Sequence, residues 1–252
     1  MVKFYTLPPI PWRWVLINAH KPNLSYIRRH WKTIESVIID SGVEIFRDPK
    51  VKDYPDGWIG RLIGIYNAVR TYVKTAWVTV PDYPDDYHPK ALWIGDKTNI
   101  ERTIDNIVRV LDSYPDVNWL IPIQGHNKAP HSIAQSIRYL DELGVLDNRD
   151  YYAIANLCVE PQTALIVKTV SLARSLLPNK KLHVFGVKLR ALRFIGHLID
   201  SFDSFAWTRP VKTRGHSAKT SQERLAYFMD WLKRLEEILP KNHDLLSFGD
   251  HG

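Results

Sequence analysis

Three aspartates and one glutamine stand at or near the ends of apolar runs in this sequence. They are Asp40, Asp82, Gln124 and Asp203. If the runs are parallel strands of one barrel, their carboxyl ends share a rim, and the four side chains converge there. Carboxylates can transfer protons and attack a sugar carbon without a metal. The spacing therefore predicts a single site at that rim, with no metal and no cofactor.

Each of these residues also has a purely structural interpretation. Asp40-Ser41-Gly42 and the Pro-Asp-Tyr-Pro segment around Asp82 could be turns, because Asp, Gly and Pro favour turns. Asp203 differs, since it lies in an aromatic-rich run where an unpaired carboxylate is costly to bury. An ion pair, for example with Arg209, is the structural alternative there. Asp203 is therefore the strongest single candidate for a functional group.

Seven short apolar runs predict the strands that would position these side chains. The runs are 14–17, 37–39, 77–80, 119–123, 151–157, 182–187 and 202–207. Several lack alternation, as strands buried on both faces do. An eighth strand could be 44–46 or lie near the N-terminus. Strand–helix alternation through 252 residues predicts an α/β fold, a single-domain (β/α)8 barrel of the TIM type.

Helices are predicted between the runs, and three of them begin with recognisable patterns. These open at Thr98-Asn-Ile-Glu101, Ser132-Ile-Ala-Gln135 and Thr220-Ser-Gln-Glu223, the last reaching to about 239. Gly144 stands where the second would end. Two more helices are predicted over 162–177 and 190–201. The long loop 83–97 follows a predicted strand, so we expect it at the carboxyl face of the barrel.

Composition excludes several classes of protein. One cysteine in the chain excludes a disulfide framework and a Cys-rich zinc site. No apolar run approaches the roughly 18 residues of a membrane span. The N-terminal sequence MVKFYTLPPIPWRW lacks the pattern of a signal peptide. We therefore expect a soluble, cytoplasmic protein without a membrane partner, in the host cytoplasm if the chain is viral.

The net charge of +7 is concentrated in two stretches without acids. The basic N-terminal segment, residues 1–34, holds six Lys and Arg residues, and the basic loop, residues 204–219, holds four. The rest of the chain carries −3. A polyanion that touches both stretches would explain this distribution, and a solvated basic surface is the alternative.

Six motifs follow one another along the chain. They are Asp40-Ser41-Gly42, Pro81-Asp82-Tyr-Pro, Ile123-Gln124-Gly125, the segment 155–160, Val184-Phe-Gly-Val and Phe202-Asp203-Ser…Thr208-Arg209. Their order is that seen in tRNA-guanine transglycosylases, and the chain resembles that family from about residue 37 to 216. The resemblance implies that Asp203 is the nucleophile and Asp40 the general acid and base. It also implies a purine site made by Ser41, Asp82, Gln124, Gly125, Ala155 and Asn156.

The implied reaction exchanges a base with retained configuration, which two carboxylates achieve by double displacement. Asp203 would attack C1′ as guanine departs. Asp40 would act as general acid toward the leaving base and then as general base that deprotonates the incoming 7-deazaguanine. Asp82 would accept hydrogen bonds from the N1–H and 2-amino edge, and Gln124 would reach the 6-oxo group. The target must be flipped out or single-stranded, and its phosphates would be held by Arg209, Lys212, Arg214 and Lys219.

The chain departs from the tRNA enzymes in lacking their zinc site. That family holds a structural zinc with three cysteines and a histidine, whereas this chain has Cys158 alone, so we expect no zinc subdomain. We interpret Cys158 as a small core residue, with a catalytic thiol as the alternative, and His126 and His131 as solvated loop residues. A compact, zinc-free chain is similar to the phage, viral and bacterial relatives that insert 7-deazaguanines such as preQ0 into DNA.

DNA is therefore the expected substrate, and three alternatives stay open. The same exchange could act on tRNA, or a catalytically silent barrel could bind nucleic acid through its basic face. An unrelated barrel enzyme, such as a glycoside hydrolase using Asp40 and Asp203, is the third. A homodimer or a helper protein could complete the substrate-binding surface. Five aromatic residues could stack on bases or belong to the core: Trp12, Trp14, Tyr83, Tyr87 and Trp207.

Overall fold

Eight parallel strands form the sheet at the centre of the protein. The computed structural model describes residues 1–85, 93–126, 129–158, 160–209 and 217–239. The strands are β1 (Lys3–Tyr5), β2 (Trp14–Asn18), β3 (Ser36–Asp40), β4 (Thr75–Thr79), β5 (Trp119–Ile123), β6 (Tyr151–Ile154), β7 (Lys181–Val184) and β8 (Ser201–Asp203). Their order in the sheet is β1-β8-β7-β6-β5-β4-β3-β2. Thr6 N–H donates to the Trp14 carbonyl (3.2 Å) and Leu16 N–H to the Thr6 carbonyl (3.1 Å). These bonds join β1 to β2, so the predicted (β/α)8 barrel is confirmed.

The eighth strand is β1, and the alternative at 44–46 is wrong. Those residues lie in a 3-10 helix, Val43–Arg47, because Gly42 (φ +90°) turns the chain directly after β3. Three predicted strands are also shorter than expected, since β6, β7 and β8 end at Ile154, Val184 and Asp203. Leu157, Val187 and Trp207 beyond those points are buried without taking part in strand pairing, whereas Phe205 is exposed.

The described ranges contain eight α-helices, which lie between successive strands from β2 onward and after β8. They are α1 (Leu24–His30), α2 (Trp58–Arg70), α3 (Asn99–Ser113), α4 (Pro130–Glu142), α5 (Val145–Asn148), α6 (Thr163–Leu176), α7 (Leu189–Ile195) and α8 (Ser221–Ile238). The predicted helix starts at Thr98 and Thr220 are confirmed, and each forms a capping box, with Glu101 and with Glu223. Gly144 adopts φ +66° just after α4, as a residue that ends a helix does. Local sequence therefore sets these helix ends.

Two helices differ from their predicted bounds. α4 begins at Pro130, a residue favoured in a first turn, and not at Ser132. The Ser132 hydroxyl instead accepts from His126 N–H at 2.7 Å and ties the preceding loop to the helix. α7 ends at Ile195 and not at 201, because Leu198 N–H closes a turn onto the Ile195 carbonyl (2.8 Å).

The connection from β1 to β2 contains no helix, and α8 covers that side of the barrel. The Phe228 ring of α8 packs against the rings of Phe4, Trp12 and Trp207 at centroid distances of 6.5, 5.3 and 5.2 Å. These aromatic side chains are fully or almost fully buried. Aromatic packing therefore attaches the last described helix to the first strand.

The five aromatic residues named as possible stacking partners are placed as follows. Trp12, Trp14, Tyr83 and Trp207 are buried, so they belong to the core, and Tyr87 lies outside the described residues. Within the predicted loop 83–97, residues 86–92 are likewise outside them. No helix in the described ranges is long and apolar enough to cross a membrane.

Candidate active site

A cavity of about 670 Å³ lies at the carboxyl ends of the strands. Three of the residues that line it were predicted from the sequence: Asp40 at the end of β3, Asp82 after β4 and Asp203 at the end of β8. Parallel strands place these ends at the same rim. The structure thus brings the three predicted aspartates together. Other side chains that line the cavity are Asn18, Lys21, Glu44, Arg47, Ala155, Cys158, Phe185 and Lys188.

Asp82 is held by two donors on the side away from the cavity. The Ser41 hydroxyl donates to Oδ1 at 2.7 Å, and the Gln124 side-chain amide donates to Oδ2. Burial raises the pKa of Asp82 to about 6, although both hydrogen bonds stabilise its charged form and lower the pKa. Ser41 and Gln124 are themselves buried and do not line the cavity. They therefore act on the cavity through Asp82.

Asp40 faces several negative neighbours. Burial, followed by the nearby carboxylates of Glu44, Asp82 and Asp203, raises the pKa of Asp40 well above its ordinary value. Asn18 at the end of β2 donates one amide group to both Asp40 (3.4 Å) and Glu44. Asp40 is therefore favoured as a neutral carboxylic acid, which can give a proton.

Asp203 has different partners. Gly186 N–H donates to its Oδ1 at 2.9 Å, and His183 Nε2 lies 3.3 Å from the same oxygen. His183 is fully buried, and its Nδ1 contacts the Ser201 hydroxyl at 2.8 Å. Tyr151 contacts the same hydroxyl at 2.5 Å. A line of buried polar groups inside the barrel thus ends on one oxygen of Asp203.

Two glycines let the backbone approach the site closely. A Cβ on Gly125 would lie 2.1 Å from the Asn156 side-chain nitrogen, and a Cβ on Gly186 would lie 2.5 Å from Cys158 Sγ. Gly186 also has φ +62°, which favours glycine. Both side-chain polar atoms of Asn156, and Oε1 of Gln124, are buried without a hydrogen-bond partner in the described part of the chain. Such groups are costly unless a ligand or water pairs with them.

Among the predicted base-binding residues, only Asp82 and Ala155 line the cavity. Asn156 lies directly behind Gly125, and Gln124 lies directly behind Asp82. Gln124 could therefore contact a purine oxygen directly only if it released its hydrogen bond to Asp82. Otherwise it would act on the base indirectly, by orienting Asp82. The roles of these residues stay predictions.

The basic loop is only partly described. Lys212 and Arg214 lie outside the described residues, while Arg209 bonds to the Ser217 hydroxyl at 3.2 Å and Lys219 N–H bonds to Glu223. Asp203 makes its contacts with Gly186 and His183, so the ion-pair alternative with Arg209 is not what holds it. The cations that line the cavity are Lys21, Arg47 and Lys188.

The interpretation of Cys158 as a core residue is wrong. Cys158 is exposed and lines the cavity, because residues 156–158 form a turn that directs it to the mouth while Gly186 leaves room behind it. His126 lies 3.0 Å from the buried Asp85, so it is paired and not simply solvated, whereas His131 is exposed. No group of three or more His, Cys, Asp and Glu within the described ranges is arranged to hold a metal.

Glu44 and His183 are the functional candidates that sequence reasoning missed. Glu44 lies four residues after Asp40 in a segment considered as a strand, and His183 is the one ionisable side chain inside the apolar run 182–187. An ionisable residue inside a buried strand is the signal that could have found His183, since such a group must be paired. Family models give no match to this chain, and curated proteins give no significant match.

Proposed function

We propose that the protein is a base-exchange transglycosylase that replaces guanine in DNA with a 7-deazaguanine such as preQ0. The observation that carries the proposal is that Asp40 and Asp203 line one cavity in unlike surroundings. Asp40 is favoured in the protonated form, whereas Asp203 accepts hydrogen bonds from the direction of β7. An acid and a nucleophile are the two parts that a double displacement needs.

In the first half-reaction, a carboxylate oxygen of Asp203 attacks C1′ of the target nucleotide. The bond from C1′ to N9 breaks, and its electron pair leaves with guanine. The proton of Asp40 goes to the departing base, so guanine leaves in its neutral form and Asp40 becomes a carboxylate. The sugar is then bound covalently to Asp203, with its configuration inverted.

In the second half-reaction, the incoming 7-deazaguanine gives its N9 proton to Asp40. N9 attacks C1′, the ester bond to Asp203 breaks, and the second inversion restores the configuration. Both aspartates return to their starting states, so atoms and charges balance over the cycle. The raised pKa of Asp40 supports this role, because a carboxyl group that binds its proton tightly can return it after each exchange.

Asp82 is proposed to select the base. A guanine or 7-deazaguanine offers an N1–H and a 2-amino group along one edge, and a carboxylate accepts from both. Each Asp82 oxygen already accepts one bond, from Ser41 or Gln124, and keeps a second acceptor site. Ser41 and Gln124 would therefore orient the carboxylate for the base.

The preference for DNA is supported by the resemblance to zinc-free relatives that modify DNA, and by the single cysteine of the chain. tRNA is the alternative polymer, since the same aspartates could exchange a base in either. In both cases the cavity takes one nucleotide that is flipped out of a duplex or already single-stranded.

Labelled guanine exchange tests the proposal directly. We expect wild-type protein to incorporate labelled guanine into DNA, and Asp203→Ala to incorporate none, with Asp112→Ala as a control for an exposed aspartate on α3. A denaturation-resistant protein–DNA adduct should depend on Asp203. Exchange into tRNA alone would reject DNA as the substrate. Full activity of Asp203→Ala would overturn the nucleophile, and salt-sensitive binding without exchange would favour a silent barrel.

A further inference from the structure

The acid-free N-terminal segment connects the candidate active site to a second cavity. His20 and Lys21 line the 670 Å³ cavity that holds Asp203. Three residues later α1 begins, and its last two residues, Arg29 and His30, line a separate cavity of about 440 Å³. One segment without a single carboxylate thus runs from the proposed reacting centre to another concave site.

The second cavity is cationic on two facing walls. α1 contributes Arg29 and His30, and the first turn of α8 contributes Arg224, while no Asp or Glu is among the lining residues. Neither Arg29 nor Arg224 forms an ion pair with a residue in the described part of the chain. Arg224 lies 5.8 Å from the Trp207 ring, a contact that leaves its charge uncompensated. Arg29 and Arg224 therefore line the same cavity without a counter-charge, and His30 lies beside Arg29.

The nearest acid along α8 does not fill this role. The Glu223 carboxylate accepts from the backbone N–H groups of Lys219 and Thr220 and completes the capping box of α8. Burial and then the positive charge of Arg29 lower the pKa of His30, so Arg29 repels a second positive charge at this position. An anion placed between the two helices would relieve this repulsion.

We infer that the groove between α1 and α8 binds the phosphodiester backbone of the nucleic-acid strand whose target nucleotide enters the candidate active site. The inference rests on the proposed function for the nature of the strand. α1 has seven residues and is about 10 Å long, a length that corresponds to about three phosphates along one strand of DNA. The flanking nucleotides on one side of the target would therefore pass Lys21 and reach Arg29 and Arg224.

The lining favours backbone contact over base readout. Leu7, Pro8, Pro9 and Ile10 form an apolar wall on which sugars can rest. Tyr26 has its hydroxyl engaged by the Ile10 carbonyl at 2.5 Å, and the Asn23 side chain caps α1, so neither polar group is free to read a base. Phosphate contacts position a strand without reading its sequence. Ser221 and Gln222 also line the groove, so we expect the phosphate contacts to dominate binding and the sequence of the flank to change it little.

The test measures binding separately from catalysis. Full-length protein carrying Asp203→Asn is titrated with fluorescent single-stranded DNA over a range of salt concentrations, with and without R29A/R224A. We expect the double variant to bind at least tenfold more weakly at low salt. The slope of log K against log[salt] should fall in magnitude by about 1.4, since each contact to a single strand contributes about 0.7.

A matched variant controls for net charge. R138A/K168A also removes two exposed cations, but from α4 and α6 beside β5 and β6, across the barrel from β1 and β2. We expect its salt slope to stay at the wild-type value. Equal losses in the two double variants would overturn the groove, because only the overall charge would then matter. Thermal unfolding of each variant verifies that the barrel is intact.

Truncated oligonucleotides test which flank of the target guanine lies along α1. Removing the flank on one side of the target guanine should reduce wild-type binding to the level of R29A/R224A, and that double variant should lose nothing more. Removing the other flank should weaken both proteins equally. If either flank can be removed with the same effect on both proteins, the strand does not follow α1 and the inference is wrong.

Failure of the groove and failure of the proposed function give different results. Protein that exchanges guanine but binds DNA equally well with R29A/R224A and with the control variant overturns the groove alone. Protein that exchanges no base, yet loses DNA binding only in R29A/R224A, overturns the transglycosylase and leaves the groove. Absence of any nucleic-acid binding by the wild type at low salt overturns the groove as well.

Discussion

The two sides of the cavity that holds Asp40, Asp82 and Asp203 surround the same kind of side chain with different neighbours. On the β3–β4 side, Asp40 and Asp82 lie near Glu44, and burial is the largest cause that raises the pKa of each. On the β7–β8 side, Asp203 accepts a backbone N–H from Gly186, with His183 beside the same oxygen. Burial and neighbouring carboxylates favour the protonated form of an acid. The groups beside Asp203 instead fix the position of its oxygen.

Different neighbours allow aspartate to serve both as an acid and as a nucleophile in one cavity. A carboxyl group that keeps its proton near neutral pH can act as an acid, and an ionised one can attack. The strand ends bring the aspartates to one rim, but the neighbours decide what each of them can do.

Replacement of each aspartate by asparagine should separate attack from proton transfer. We expect Asp203→Asn to abolish the covalent adduct and to lower exchange by roughly 10⁴-fold or more, because no group replaces the nucleophile. Asp40→Asn should lower exchange by about 10² to 10⁴. Gel analysis of denatured adducts and labelled-guanine incorporation measure the two effects.

A target with 7-methylguanine sharpens this test. That base is cationic in DNA and leaves as a neutral molecule without receiving a proton. We therefore expect Asp40→Asn to form the adduct with it at nearly the wild-type rate, while Asp203→Asn forms none. Equal defects of the two variants on this target would mean that the two sides of the cavity do not have separate roles.

The proton of Asp82 should make stability depend on pH. Burial raises the pKa of folded Asp82 from 3.8 to about 6, so the folded protein binds this proton more tightly than the unfolded chain. The stabilisation is present below pH 3.8 and is lost as pH rises through 6, by about 3 kcal/mol for roughly two pKa units. Urea unfolding at pH 4.5 and 7.5 should show about 2 kcal/mol of this loss in the wild type, because unfolded Asp82 is already mostly ionised at pH 4.5, and a smaller loss in Asp82→Asn. A pH dependence unaltered by Asp82→Asn would show that Asp82 is not desolvated.

The fold could be predicted to the extent that local rules decide it. Capping boxes at Thr98 and Thr220 set two helix starts, and unbroken apolar runs located seven strands. The short strand β1 escaped a definite assignment, because three residues contain too little pattern. Its place is decided by distant partners, since β1 pairs with β8 and Phe4 packs against Phe228. Such long-range contacts have no local signal.

The site could be predicted only in part for the same reason. Asp40, Asp82 and Asp203 were identifiable because strand ends meet at a rim. Their pairing partners were not, since Ser41 with Asp82 and His183 with Asp203 depend on which strands are neighbours in the barrel. The exposure of Cys158 likewise depends on a turn that apolar pattern alone does not reveal. Residue type and strand order therefore predicted that carboxylates meet at the rim. The neighbours that distinguish one carboxylate from another became visible only in the folded structure.

His183 should orient the attacking carboxylate without touching the substrate. We expect His183→Phe to lower kcat by about 10- to 100-fold, because a hydrogen bond to a charged group contributes roughly 1.5–3 kcal/mol, and to leave KM for DNA unchanged. His183→Gln keeps an N–H donor and should recover most of the activity. ¹⁵N NMR should place the ring proton on Nε2, facing Asp203. A proton on Nδ1, or no recovery in His183→Gln, would remove His183 from this role.

Glu44→Gln should produce the smallest change and act on the opposite side of the cavity. Glu44 is the largest cause after burial for the raised pKa of Asp40, so its neutralisation should lower that pKa. Asp40 then loses its proton at a lower pH, and the basic limb of the kcat profile should move down by less than about one pH unit. Activity on the acidic side of the optimum should stay as in the wild type, and the whole profile should stay unchanged in Glu142→Gln on the exposed face of α4. A shift of the acidic limb instead would mean that Glu44 acts on a group that works as a base, and the proposed division between the two sides would fail.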